Sequence, residues 1–236
     1  MRITFALLFI FFSVCCTHAQ SSGTRMTLDE NTIVKDSSGR VLPVKEWQGL
    51  LSSGHYTLRS QKVKDKDPEF TLIRLTEDQY AQRLQNAPKP RETNVFSTGQ
   101  KISSFKATDI HGNKYKLKDL EGKIVVINFW FIACEPCRRE MPELNKIVEE
   151  FKDSSNVVFL AICLDEKDRI EKYLQTTPFN YNIIDQGNYI STQYGIKTYP
   201  TNLVVDKNGK VAFHSSGYSM SVAPWIRKTI LQELGE

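Results

Sequence analysis

The chain has 236 residues, of which 40% are hydrophobic and 25% charged. That suits one large domain or two modest ones, able to bury a core. The net charge of +4 is small and spread along the chain. With no basic block to grip phosphates, it speaks against nucleic-acid binding.

In chain order, Arg2 precedes an apolar run from Ile3 to Val14 and a small-residue exit at Thr17-His18-Ala19. This is the layout of a secretory signal over 1–19, cleaved near Ala19, which predicts an extracytoplasmic, periplasmic protein. The run is short against the roughly 20 residues of a membrane span. A retained anchor, or acylation at Cys15 or Cys16, are the alternatives.

Residues 20–86 read as a small α+β extension. Two short strands flank Ser37-Ser38-Gly39. Trp47, Leu50 and Leu51 fall at helical spacing, with Gly54 at the end. HYTLRSQKV and EFTLIRL are predicted strands around a polar KDKDP turn. Thr76 and Gln79 stand at capping-box spacing before another helix. Pro88 and Pro90 mark a linker over 87–94.

From 95 to 236 the pattern alternates. A hairpin turns at His111-Gly112-Asn113. KIVVINFWF is a continuous apolar run, as in a strand buried on both faces, and EPCRREMPELNKIVEEF is an amphipathic helix. NVVFLAICL and YNIID are further strands, with helices predicted at DEKDRIEKYLQTT, NYISTQYGI and VAPWIRKTILQEL. TNLVVD and KVAFHSSG pair across Lys207-Asn208-Gly209. The alternation predicts an α/β fold, a sheet with helices on both faces.

Of the five cysteines, two lie in the predicted signal, leaving Cys134, Cys137 and Cys163. Three cysteines in an exported chain of this size are not a disulfide scaffold. A structural zinc needs four ligands, and the histidines at 55, 111 and 214 stand in no paired spacing, so no metal is expected. Haem attachment needs histidine after the second cysteine, where this chain has Arg138. A staple closing two residues would stabilise little. The pair lies between a buried strand and a helix start, where free N–H groups and the helix dipole favour a thiolate. Pro136 suits an early helical position. Redox chemistry is therefore expected, with Cys134 exposed and attacking, and Cys137 more buried and resolving. Glu135 should keep the attacking thiol's pKa from falling far, which points to a reductant. Cys163, on an apolar strand, reads as a core residue. Of Phe129 and Trp130, one should lie at the rim and one in the core.

VINFWFIACEPCRREMPEL and KTYPTNLVVDKNGKV together resemble the TlpA/ResA-type thioredoxin-like thiol-disulfide oxidoreductases of bacterial envelopes, over about residues 95–236. The resemblance implies a thioredoxin-like fold, a central mixed sheet flanked by helices, and a Cys134–Cys137 redox disulfide with no other cofactor. It implies protein thiol or disulfide substrates, an upstream donor such as a membrane thiol reductant, and a role in cytochrome c maturation or envelope redox homeostasis. It also implies a cis proline at Pro200 facing the cysteines. Candidates for substrate contact are Trp130, Glu135, Pro136, Tyr199 and Pro200. The chain departs from most relatives in Ala133, where they carry tryptophan. Asn128 stands where thioredoxin has a buried aspartate, so Glu140, three residues after Cys137, is the candidate proton acceptor; a solvated helix charge is its alternative. A peroxiredoxin-like peroxidase is one competing reading, although the P-x-x-x-T-x-x-C pattern is missing before Cys134. A partner-binding module with a secondary redox pair is the other.

Overall fold

The apolar run at 124–130 forms strand β6 (Ile124–Trp130), and every one of its residues is buried. The computed structural model describes residues 28–29, 31–61 and 69–235; the predicted signal, its cysteines and the KDKDP turn lie outside them. The chain divides into two units, 1–32 and 33–236. In the first, Thr32 Oγ1 accepts from the Asp29 amide at 2.9 Å and donates to the Asp29 carboxylate at 3.0 Å.

In the second unit, β6 sits at the centre of a five-stranded mixed sheet. It pairs in parallel with β7 (Val157–Cys163), which pairs in parallel with β8 (Asn182–Ile184). On its other side it pairs antiparallel with β9 (Thr201–Val205), which carries the antiparallel edge strand β10 (Val211–Ser216). Side chains alternate across a strand, so β6 feeds two cores. Ile124, Val126 and Trp130 pack with α3 (Glu135–Glu150), α4 (Lys167–Leu174) and α6 (Val222–Leu234). Val125, Ile127 and Phe129 pack on the opposite face with α5 (Asn188–Gln193) and with Phe105 and Leu117. Phe105 and Leu117 flank the hairpin of β4 (Lys106–Thr108) and β5 (Lys114–Lys116). The fold is thioredoxin-like, as expected from the α/β alternation and the resemblance.

Before this sheet, β1 (Val34–Lys35), β2 (Tyr56–Gln61) and β3 (Glu69–Arg74) form a three-stranded sheet in the order β1-β3-β2. Helix α1 (Val44–Ser52) buries Trp47 with Val34, Leu42, Phe70 and Leu72. Helix α2 (Glu77–Gln85) begins with the predicted capping box: Thr76 accepts from the Gln79 amide at 3.2 Å, and Gln79 accepts from the Thr76 amide at 3.0 Å. The predicted strand after Gly39 shrinks to a single bridge from Lys35 to Val41.

The 87–94 segment is tied along the following fold. Trp225 Nε1 donates to the Ala87 carbonyl at 3.1 Å, Ser216 N to Arg91 O at 2.9 Å, and Thr93 N to His214 Nδ1 at 3.1 Å. Among the described residues no helix is long and apolar enough to cross a membrane.

Candidate active site

Strand β6 ends at Trp130, and four residues later Cys134 caps α3. Its Sγ accepts the backbone N–H of Cys137 at 3.2 Å. Pro136 occupies the first turn, where a missing N–H costs nothing. The two cysteines form a disulfide, with S–S 2.01 Å. Both sulfurs therefore sit at the positive end of a 16-residue helix.

The cysteines differ from expectation in exposure. Cys134 was expected to be exposed but is 4% accessible, against 1% for Cys137. In the oxidised pair both sulfurs fold back onto the helix N-terminus and join the core beneath α3. The order of the two holds; the openness does not.

Two further expectations are corrected. Trp130, a candidate for substrate contact, is fully buried, wedged against Tyr173 and Phe179 with ring centroids 5.9 and 5.7 Å away. Phe129 is fully buried on the opposite face. Neither lies at the rim, because the sheet is covered on both sides. The half-buried aromatics there are Phe131 and Tyr199, in edge contact at 5.4 Å. Glu135 is not a bare anion beside the sulfur: its carboxylate accepts from Arg139 Nε at 2.7 Å and pairs with Nη2 at 2.5 Å. Its effect on a neighbouring thiolate is offset by that cation.

Glu140 is 4% accessible, so it is no solvated helix charge. Its Oε1 accepts from Asn128 Nδ2 at 2.8 Å and from Asn202 Nδ2 at 3.1 Å; Asn128 Nδ2 also donates to Asn202 Oδ1 at 2.9 Å. Burial raises its pKa from 4.5 to about 8, against the opposing pull of the Asn202 and Asn128 hydrogen bonds. Asn128 and Asn202 are direct partners across the β6–β9 ladder. Asn128 lies on the same face of β6 as Val126 and Trp130 and points beneath α3. The position where thioredoxin keeps an acid thus supports one supplied by the helix.

Asn202 was not anticipated. The available signal was an asparagine inside an apolar strand, since a buried amide needs partners. Asp165 was also missed. Its Oδ2 accepts the Ile132 amide at 2.7 Å, its Oδ1 pairs with Arg169 at 2.7 Å, and the Cys163 thiol donates to Oδ2 at 3.7 Å. This fixes the segment leading into Cys134. Cys163 itself is fully buried and free, and burial pushes its thiol up. The Tyr199–Pro200 peptide is cis, and Pro200 is buried at the start of β9 beside β6. No cluster of metal-ligating side chains occurs among the described residues.

Residues 98–214 match the AhpC/TSA family. Thiol-disulfide oxidoreductase ResA of Bacillus thuringiensis (strain Al Hakam) is 36% identical over 115 residues, 48% of this chain and 66% of that relative. The ResA of Geobacillus thermodenitrificans (strain NG80-2) is 34% identical over 122 residues, 51% of this chain and 70% of that one. A Chlorobium tepidum crystal structure, provisionally assigned as thiol:disulfide interchange protein DsbE, superposes with a TM-score of 0.54 at 27% identity, covering 59% of this chain and 99% of its own.

Proposed function

The chain belongs to the ResA-type thiol-disulfide oxidoreductase family, and from that premise we propose that it is an extracytoplasmic reductase of protein disulfides. The observation that carries this reading is Cys134 as the cap of α3, its sulfur held against the Cys137 N–H. In the reduced protein the same N–H and helix dipole stabilise a Cys134 thiolate. The thiolate attacks a substrate disulfide, one substrate sulfur leaves as thiolate, and a mixed disulfide forms. Cys137 then attacks Cys134 Sγ and releases the second substrate thiol. The protein is left as the Cys134–Cys137 disulfide, which a membrane dithiol donor reduces by the reverse exchange. Glu140, one turn beyond Cys137 and with its pKa raised to about 8, takes the Cys137 proton in its ionised form, so exchange should quicken as pH rises toward 8.

The reductase direction, the signal-directed export and a place in cytochrome c maturation rest on the family resemblance and the N-terminal pattern. The charge of Glu135 is shared with Arg139 and no longer argues for direction. A second reading, a peroxidase, is favoured by the AhpC/TSA match. The peroxidatic pattern would put proline at 127 and threonine at 131, where this chain has Ile127 and Phe131.

The test is catalysis of insulin reduction. Cys134→Ser should abolish it, and Cys137→Ser should accumulate mixed disulfides with substrate. Equilibration with glutathione should place the couple near thioredoxin, about −270 mV, rather than near about −120 mV as in a strong oxidant. Peroxide consumption without insulin reduction would overturn the reading in favour of the peroxidase.

A further inference from the structure

Helix α1 carries two stripes. Trp47, Leu50 and Leu51 face the core of the small sheet. Lys45, Gln48, Gly49 and Ser52, at i, i+3, i+4 and i+7, form the other stripe and line a cleft of about 650 Å³. Its opposite wall is a stripe of α3, Glu135, Arg139 and Glu143, and the buried Glu140 also borders it. His55 and Tyr80, stacked 3.9 Å apart, contribute to the α1 side. The two walls are tied together: Tyr218 Oη donates to the Ser52 carbonyl at 2.9 Å, and the Arg139 guanidinium lies 5.8 Å over the Tyr218 ring. The cleft is thus a built feature of the fold, and it opens beside Glu135, the first of the two residues between the cysteines.

Gly49 stands in the middle of a nine-residue helix, where glycine costs about 1 kcal/mol against alanine. A Cβ there would meet nothing within 4 Å. Packing within the chain does not require the glycine, and its missing side chain leaves the α1 wall flat at that point. The charges on the walls are mostly answered locally. Glu135 pairs with Arg139 and Glu143 with Lys146. Lys45 has no ion pair among the described residues, which leaves one positive charge facing the cleft.

We propose that this cleft binds the polypeptide flanking the substrate's disulfide cysteine, as an extended segment with acidic side chains opposite Lys45, so that helix α1 helps select the substrate. The inference rests on the reading of Cys134 and Cys137 as an exchange couple. An occupant whose sulfur meets Cys134 extends past Glu135 along α3 only if it is a chain. The amide of Gln48 and the Ser52 hydroxyl, which donates to the Gly49 carbonyl at 2.9 Å and can still accept, suit main-chain hydrogen bonding better than an apolar ligand.

The test uses the full chain, reduced, in single-turnover reactions with three substrates: a cystine peptide with acidic flanks, its basic-flanked counterpart, and hydroxyethyl disulfide. Gly49→Trp fills the cleft, and the rate with the acidic peptide should fall at least tenfold relative to hydroxyethyl disulfide. Lys45→Glu, an exposed change that keeps the helix, should shift the acidic-to-basic rate ratio at least fivefold toward the basic peptide. Wild-type ratios in both variants overturn the proposal, as does an equal loss with all three substrates. If the wild-type protein shows no Cys134-dependent reaction with hydroxyethyl disulfide, the exchange activity itself fails, a result distinct from an unchanged ratio.

Discussion

Glu140 shows what a single buried carboxyl does to both chemistry and stability. Its folded pKa of about 8 lies above the ordinary 4.5, so between those values the folded protein holds a proton that the unfolded chain has released. Stability contributed by the neutral carboxyl is therefore complete below about pH 4.5 and is lost as pH rises through about 8. Glu140→Gln keeps an oxygen to accept from Asn128 and Asn202 while removing the titration. The variant's Tm should stay level between about pH 5 and pH 9, where the wild type declines, so the gap between them widens with pH. Exchange in the variant should be slower and lose the pH limb near 8. Parallel Tm curves, or an unaltered rate profile, would reduce Glu140 to a packing group. The residue's candidacy was legible from its spacing to Cys137. Its burial was not, because Arg138 and Arg139 beside it point a local reading toward solvent.

At the scale of elements, the best-read segments were those whose local chemistry and burial agree. Strand β6 is apolar on successive residues because both faces are covered. Helix α2 is marked by Thr76 and Gln79 before a hydrophobic residue enters, and both capping hydrogen bonds form. Removing the cap by Thr76→Ala should cost about 1 kcal/mol, measured as a lower urea midpoint with an unchanged slope. A loss below about 0.3 kcal/mol would mean the helix is held by Tyr80 and by Arg83, which donates to the carbonyls of Gly54 and Tyr56 at 2.8 and 2.9 Å, and owes little to its cap. Trp130 shows where element-level reading fails. Strand alternation separates it from Phe129 but cannot say that helices cover the Trp130 face while α5 and the hairpin cover the other.

At the scale of the whole molecule, the segment 87–94 does more than connect. Thr93 donates its amide to His214 Nδ1, and the Thr93 hydroxyl lies 3.0 Å from the same nitrogen. Nδ1 must therefore be unprotonated. Burial lowers the His214 pKa from 6.5, with Glu92 raising and Lys89 lowering it further out, and Lys89 and Glu92 are paired with each other. Since the folded pKa lies below the unfolded one, stability is whole above about pH 6.5 and is lost as pH falls. His214→Asn offers Oδ1 in place of Nδ1 and should flatten the fall in urea midpoint between about pH 7 and pH 5. An equal slope in wild type and variant would detach His214 from the acid sensitivity.

The sequence by itself determined the α/β alternation, the position of Cys134 and Cys137 at a helix start, and the family, because these depend on periodicity and on residues adjacent in the chain. Tertiary structure alone decided that Asn128, Glu140 and Asn202 form one buried cluster, since their contact follows from the β6–β9 register and the seating of α3 over one face of the sheet. It alone showed that Tyr218 binds Ser52 across 166 positions. Spacing along a chain constrains neighbours within a turn or a strand. Which distant polar groups satisfy one another depends on how the layers pack, and that is settled only when apolar faces are buried together.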